Sequence, residues 1–277
     1  MIRIRPLLKR WYYTYWPPAA GALRYFGSRI YFPQKSHLFE RVCEEGVYEE
    51  RNVRSVCALL QAGTWYFDIG ANIGLMAAPV LRDFPDVKVV SFEPSPAALA
   101  YLRRSVEASP FRERWKLVEK ALGATSGLKN FFSSNDANSA YDSLADTQRT
   151  SAPSTQISVL CSTLDEEWKG FGRPAVSVIK IDVEGAELHV LEGAAECLSV
   201  NRPAILIEWN AENLKAHGIA VDAILYWARK HQYLLHSADT GAPVATKKAL
   251  LWQAAFTENF ILFPAETDYG ADTRAED

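Results

Sequence analysis

From residue 65 onward, short hydrophobic runs along the chain alternate with amphipathic stretches. Runs rich in β-branched and aromatic residues predict strands, whereas apolar residues repeated at helical spacing predict helices. Strands that alternate with helices in this way indicate parallel βαβ units of an α/β domain. The predicted strands are 65–69, 87–92, 116–122, 157–161, 176–181, 204–207, 233–236 and 259–263.

The predicted helices occupy the stretches before and between these strands. The first covers residues 40–61 and ends before Gly63, since glycine terminates helices. Residues 133–155 are rich in Ser, Asn, Asp and Thr, which predicts a long polar loop. The other predicted helices are 73–81, 96–108, 164–168, 186–198 and 221–231.

The first 39 residues differ from the rest in charge and aromatic content. They contain seven Lys or Arg but no acid, and several Trp and Tyr lie among these cations. One interpretation is a cap whose aromatic residues pack on the main domain or on a second subunit. The other is an arm, residues 1–32, that contacts an anionic membrane surface. We therefore divide the chain into an arm or cap (1–39), a main domain (40–264) and a polar tail (265–277).

Composition excludes several classes of protein. A net charge of −3 gives no general reason to expect nucleic-acid binding. The four cysteines form no C-x-x-C pair, so we expect reduced thiols and no zinc site. No run of 18 apolar residues and no signal peptide is recognisable. We expect a cytoplasmic protein, or one at the periphery of a membrane.

The segment from Asp68 to Gly74, Asp-Ile-Gly-Ala-Asn-Ile-Gly, joins a predicted strand to a helix through a glycine turn. In an open parallel sheet, ligands bind beyond the carboxyl ends of the strands. A nicotinamide dehydrogenase is the obvious rival, but its G-x-G-x-x-G fingerprint would require glycine at Asn72 and Leu75. The carboxylate of Asp68 would also repel a diphosphate, whereas it suits a ligand that carries an ammonium and a sulfonium.

Glu93 ends the next predicted strand, within Ser-Phe-Glu-Pro. An acid at the end of the second strand can accept hydrogen bonds from both hydroxyls of a ribose. Together with the motif around Gly70, this position predicts a nucleoside site.

Four segments together resemble the FkbM family of methyltransferases: Asp-Ile-Gly-Ala-Asn-Ile-Gly, Ser-Phe-Glu-Pro-Ser-Pro, Ala-Leu-Gly and Ile-Lys-Ile-Asp-Val-Glu-Gly-Ala-Glu. The resemblance implies a class I methyltransferase Rossmann-like α/β fold, with a seven-stranded, mostly parallel sheet in the order 3-2-1-4-5-7-6 flanked by helices. It also implies S-adenosylmethionine as methyl donor and S-adenosylhomocysteine as product. The implied donor-binding residues are Asp68, Gly70, Ala71, Asn72, Gly74, Glu93, Pro94, Ala121 and Asp182.

Further acids lie at and after the ends of the predicted strands 176–181 and 204–207. In the implied strand order, Asp182 faces Asp68, Glu184 lies in the following turn, and Glu208 ends the next strand. We predict Asp182, Glu184 and Glu208 as the catalytic residues, through a general base that removes the acceptor's proton. Binding of a divalent metal such as Mg²⁺ by these oxygen ligands is the alternative, and we predict no metal. Glu187 is interpreted as a helix-capping charge, and His189 as a structural or exposed residue.

The expected reaction is O-methylation of a hydroxyl on a sugar, glycolipid or natural product. N-methylation from the same donor and a non-catalytic nucleotide-binding protein are the alternatives. The expected partner is a small-molecule or glycan acceptor, with no nucleic acid, and a homo-oligomer stays open. Asn138, Ser139 and Ser143 of the polar loop could bind a polyol, because variable loops on a fixed scaffold often set specificity.

Overall fold

The structure is a computed structural model, and it describes residues 8, 11, 21–33, 36–133, 144 and 155–266. Its strands are β1 (Ala22–Tyr25), β2 (Ser28–Tyr31), β3 (Trp65–Ile69), β4 (Lys88–Phe92), β5 (Trp115–Val118), β6 (Ala121–Leu122), β7 (Gly127–Ser133), β8 (Thr155–Ser162), β9 (Val176–Ile181), β10 (Ala204–Glu208), β11 (Tyr233–Ser237) and β12 (Asn259–Pro264).

Seven of these strands form the central sheet, in the order β5-β4-β3-β9-β10-β12-β11. Neighbouring strands are parallel except around β12, which runs antiparallel to both β10 and β11. Numbered along the chain within this sheet, the order is the predicted 3-2-1-4-5-7-6. The predicted class I methyltransferase fold is therefore confirmed.

Helices cover both faces of the sheet. Successive residues of β9 show this directly, because Val178 and Ile179 are both fully buried but belong to different hydrophobic clusters. A strand covered on both faces is expected to be apolar on both, and β9 is so except at Ser177 and Lys180. The α-helices are α1 (His37–Glu45), α2 (Glu50–Leu59), α3 (Ala77–Asp83), α4 (Pro96–Glu107), α5 (Leu164–Gly170), α6 (Glu187–Glu192), α7 (Ala195–Asn201), α8 (Ala211–Ala216), α9 (Ala223–Lys230) and α10 (Lys247–Ala254).

The hairpin of β1 and β2 packs on the main domain. Leu23, Ile30 and Phe32 are buried in the same cluster as residues of the central sheet. The backbone N–H of Tyr31 donates to Ser105 Oγ of α4 at 3.0 Å. The hairpin within residues 21–33 of the basic, aromatic segment is thus packed, whereas the division of the chain at residue 39 stays a prediction.

Several predicted boundaries differ from the structure for local reasons. The predicted helix 40–61 is two helices, because Gly46 adopts φ +86° and its N–H closes α1 on the carbonyl of Val42. The predicted helix 186–198 is likewise divided at Gly193. The predicted strand 116–122 divides between β5 of the central sheet and β6 of a three-stranded sheet, β6-β8-β7. Strands β1, β2 and β7 and helices α8 and α10 were not predicted.

The polar stretch 133–155 lies between β7 and β8, which pair antiparallel. Most of it, including Asn138, Ser139 and Ser143, lies outside the described residues. All four cysteines are free thiols, as expected. Among the helices that the structure describes, none is both long enough and apolar enough to cross a membrane.

Candidate active site

A cleft of about 290 Å³ opens at the carboxyl edge of the central sheet. Its walls come from the loops that follow β3, β4, β9 and β10, from the segment around β6, and from α1 and the turn after it. The lining residues are His37, Leu38, Arg41, Tyr48, Glu49, Ile69, Gly70, Ala71, Asn72, Ile73, Leu75, Met76, Phe92, Glu93, Pro94, Lys120, Ala121, Leu122, Phe131, Leu144, Lys180, Asp182, Val183, Glu184, Glu208 and Glu258.

The turn after β3 forms the floor of one half of the cleft. Gly70 has φ +75°, and a Cβ there would overlap the carbonyl oxygen of Asp182. Only glycine therefore lets the ends of β3 and β9 approach this closely. Asn72 also lies in the left-handed region, at φ +48°, where asparagine is tolerated. Its buried Oδ1 has no hydrogen-bond partner among the described residues.

Glu93 connects two loops of this half. One carboxylate oxygen accepts the N–H of Asn72 and the other accepts the N–H of Ser95, both at 2.8 Å. Only 6% of Glu93 is exposed, so these bonds fix its orientation at the wall of the cleft. Pro94 and Ala121, also predicted to bind the donor, line the same wall.

Two predicted donor-binding residues are not among the lining residues. Gly74 has φ +89°, and a Cβ there would come within 2.6 Å of the Trp115 ring. Packing of the protein on itself therefore explains this glycine. Asp68 is fully buried beneath the cleft, where it accepts a hydrogen bond from the Tyr66 hydroxyl at 3.4 Å. Burial raises the pKa of Asp68 to about 6, although Lys180 opposes that shift. Direct binding by these two residues stays a prediction.

Lys180 is a buried cation that joins β3 to β9. Its Nζ lies 2.9 Å from Asp182 Oδ2 and 4.0 Å from Asp68 Oδ1, and it donates to the Gly70 carbonyl at 3.3 Å. Burial disfavours the ammonium, but the charges of Asp182 and Asp68 outweigh burial and raise the pKa of Lys180. Lys180 therefore stays charged and holds the two strand ends together.

Asp182, Glu184 and Glu208 form the acidic half of the cleft. One carboxylate oxygen of each lies within 4.8 Å of the others. Burial, and then the charge of Asp182, raise the pKa of Glu208 well above its ordinary value. Lys180 favours the ionised form of Asp182. Glu208 also hydrogen-bonds to Asp182, which raises the pKa of Glu208 further.

The loop after β9 holds its acids in a constrained backbone. Glu184 has φ +55°, a strained value for a residue with a long side chain, and it accepts the Asn213 side-chain amide at 2.6 Å. Glu187 accepts the N–H groups of Val183 and Gly185 at 3.2 and 2.9 Å and so closes the turn. Burial raises its pKa to about 7. Glu187 does not line the cleft, and its role as a helix-capping charge stays a prediction, because the two N–H groups that it accepts belong to the turn before α6.

Sequence reasoning missed one wall of the cleft. His37 and Arg41 of α1 reach it, together with Tyr48 and Glu49 from the turn before α2. The Arg41 guanidinium lies over the Tyr48 ring, 4.7 Å from its centroid. Burial and the neighbouring Glu49 raise the pKa of the Tyr48 phenol. No motif marks these residues, because only the folded chain brings them beside β9.

Two characterised proteins resemble this chain. The methyltransferase sdnD of Sordaria araneosa is 27% identical over 164 residues, which span 50% of this chain and 63% of sdnD. The 2-O-methyltransferase NoeI of Sinorhizobium fredii is 30% identical over 172 residues, which span 57% of this chain and 68% of NoeI. The chain thus matches less than two thirds of the length of sdnD.

Solved structures give a further comparison. A methyltransferase FkbM from Methylobacillus flagellatus aligns with 81% of this chain and 53% of its own, with a TM-score of 0.49 and 16% identity.

The sequence profile of the methyltransferase FkbM domain matches residues 68–235, which include every predicted donor-binding and catalytic residue. The chain therefore belongs to the FkbM family of methyltransferases.

Proposed function

We propose that this protein transfers a methyl group from S-adenosylmethionine to a hydroxyl oxygen of a sugar, glycolipid or natural product. The observation that carries the proposal is the pairing, in one cleft, of the fixed carboxylate of Glu93 with the acids Asp182 and Glu208. The Glu93 carboxylate suits the hydroxyls of a nucleoside, and the pair of acids suits removal of a proton from the acceptor.

The residues of the donor half fit this donor. A carboxylate can accept several hydrogen bonds, so Glu93, whose orientation two backbone N–H groups fix, is suited to accept ribose hydroxyls. The Asn72 Oδ1 offers a buried acceptor that no described residue uses. Acids around the cleft favour a cationic ligand over a diphosphate. When bound, the donor supplies an electrophilic methyl group on a sulfonium.

The acidic half supplies the residues for proton transfer. The Asp182 carboxylate accepts the proton of the acceptor hydroxyl, while Glu208 donates a hydrogen bond that keeps Asp182 in place. Lys180 fixes Asp182 from below and is a positioning residue. A base in this position contributes about 10²–10⁴-fold to such reactions.

The same three acids could instead hold a divalent cation, since oxygen ligands suit Mg²⁺. The ammonium of Lys180, 2.9 Å from Asp182, supplies positive charge at this position and would repel a metal ion. We therefore propose a reaction without a metal, and expect full activity in the presence of EDTA.

Oxygen rather than nitrogen as acceptor is supported by the name of NoeI, a 2-O-methyltransferase. Two matched acceptors test this choice: one carries a hydroxyl where the other carries an amine. Each is incubated with the protein and a donor whose methyl group is radiolabelled. We expect label in the hydroxyl compound. Label only in the amine would establish N-methylation. Binding of donor without transfer to any acceptor, across a broad set of sugars and glycolipids, would favour a non-catalytic protein.

A further inference from the structure

Helix α10 and the residues after it expose large apolar side chains side by side. Leu251 is 50% exposed, Trp252 68% and Phe256 72%. The rings of Trp252 and Phe256 contact each other, with centroids 5.5 Å apart. Single exposed apolar residues are ordinary on protein surfaces, but an adjoining aromatic group points to a binding surface.

This surface lies at the same edge of the sheet as the cleft. Strand β12 begins opposite the end of β10, where Asn259 pairs with Glu208. Phe256 precedes Glu258 by two residues, and Glu258 lines the cleft. The α10 patch, which we define as Leu251, Trp252 and Phe256, therefore adjoins the site.

Basic residues lie on one side of the α10 patch. No acidic residue occurs between Asp239 and Glu258, although the whole chain has a net charge of −3. Lys247 and Lys248 are exposed at the start of α10, and Lys247 lies 3.3 Å from Asp222. The end of α9 adds two exposed cations, Arg229 and Lys230, and Arg229 donates to the carbonyl of Ala245 just before α10.

We propose that the α10 patch docks this edge of the protein on a membrane surface that carries anionic lipid headgroups. Trp, Phe and Leu favour the boundary between headgroups and acyl chains, and the adjacent lysines favour anionic headgroups. A second copy of the chain fits less well, because a two-fold contact through this surface would bring Lys247 and Lys248 close to their own copies. Docking in this orientation places the cleft next to the membrane surface.

Vesicle co-sedimentation of the full chain tests this proposal without a methyl donor. We expect binding to phosphatidylcholine vesicles in which about a third of the lipid is phosphatidylglycerol, weakening as salt is added. The double variant Trp252→Ser/Phe256→Ser should lose affinity on the order of tenfold. Lys247→Gln and Lys248→Gln should each lose about fivefold.

The matched control is Val200→Ser. Val200 is 65% exposed on α7, whose Asn201 bonds to the first residue of β9, at the opposite edge of the sheet. This variant should bind vesicles like the native chain, and thermal melting should show that all variants stay folded.

Three outcomes would overturn the proposal. The first is no binding to the anionic vesicles. The second is equal binding by the double variant, which would assign any lipid contact to another segment such as residues 1–20. The third is a native dimer that the double variant makes monomeric while vesicle binding is unchanged. None of these outcomes bears on donor binding, which calorimetry measures separately.

Discussion

The two halves of the cleft use carboxylates in opposite ways. In the donor half, both oxygens of Glu93 accept backbone N–H groups at 2.8 Å, so the charge is compensated and its orientation fixed. In the acidic half, Asp182, Glu184 and Glu208 crowd together, and burial and mutual repulsion raise the pKa of Glu208. A compensated carboxylate suits binding, whereas crowded carboxylates suit proton transfer.

The largest effect is expected in the acidic half. Asp182→Asn removes the proposed base while preserving the shape of the side chain. We expect methyl transfer to fall by about 10²–10⁴-fold, with donor affinity changed by less than about threefold. Single-turnover transfer of radiolabel measures the first and calorimetry the second. A parallel loss of donor affinity would show that Asp182 belongs to donor binding and that the two halves are not separate.

Lys180→Met tests the link between the halves. This change leaves Asp68 and Asp182 without their buried cation, and breaking such a group costs about 3–5 kcal/mol. We expect the free energy of unfolding in urea at neutral pH to fall by that amount. Lys116→Met is the matched control, because Lys116 lies exposed on β5, the edge strand of the same sheet. Equal stability of the two variants would exclude a structural role for Lys180.

Glu93→Gln probes the donor half. The amide cannot accept both backbone N–H groups and loses the charge, and hydrogen bonds to charged groups are each worth about 1.5–3 kcal/mol. We expect donor affinity to fall about 10–100-fold by calorimetry. Glu119→Gln, an exposed acid paired with Arg103, should bind like the native chain. Unchanged affinity in Glu93→Gln would remove Glu93 from the donor site.

The smallest effect concerns the turn that carries the acidic half. Burial raises the pKa of Glu187 to about 7, above its ordinary 4.5, so ionising it costs folding energy. Its contribution to stability is therefore complete below pH 4.5 and is lost as pH rises towards 7. Glu187→Gln keeps an acceptor for Val183 and Gly185 but cannot ionise. As pH rises from 4.5 towards 7, the free energy of unfolding of this variant should therefore fall less than that of the native chain. Glu192→Gln, an exposed control, should keep the native slope.

Sequence patterns specified the central sheet well but its surroundings poorly. The strands of the sheet are apolar runs, so their positions could be predicted, and the resemblance to the FkbM family implied their order. The break at Gly193 depends on tertiary packing that a helical repeat does not show, because a Cβ there would overlap the carbonyl oxygen of Gly123, whereas Gly46 ends α1 through its own backbone conformation. β1 and β2 are only four residues each, too short for a clear alternating pattern.

The same contrast applies to the site. Acids at strand ends were recognisable, because polar residues that follow apolar runs mark the carboxyl edge. Lys180 also carries a signal in the sequence, since a lysine inside an apolar strand covered on both faces needs buried partners. His37, Arg41 and Tyr48 gave none, because they precede the sheet and reach the cleft only through folding.

Calorimetric titration of the native chain with S-adenosylhomocysteine and with NAD⁺ tests the central claim most directly. The carboxylates of the cleft predict saturable binding of the nucleoside product and no detectable binding of the dinucleotide. Heat from NAD⁺ with none from S-adenosylhomocysteine, in folded protein, would contradict the account.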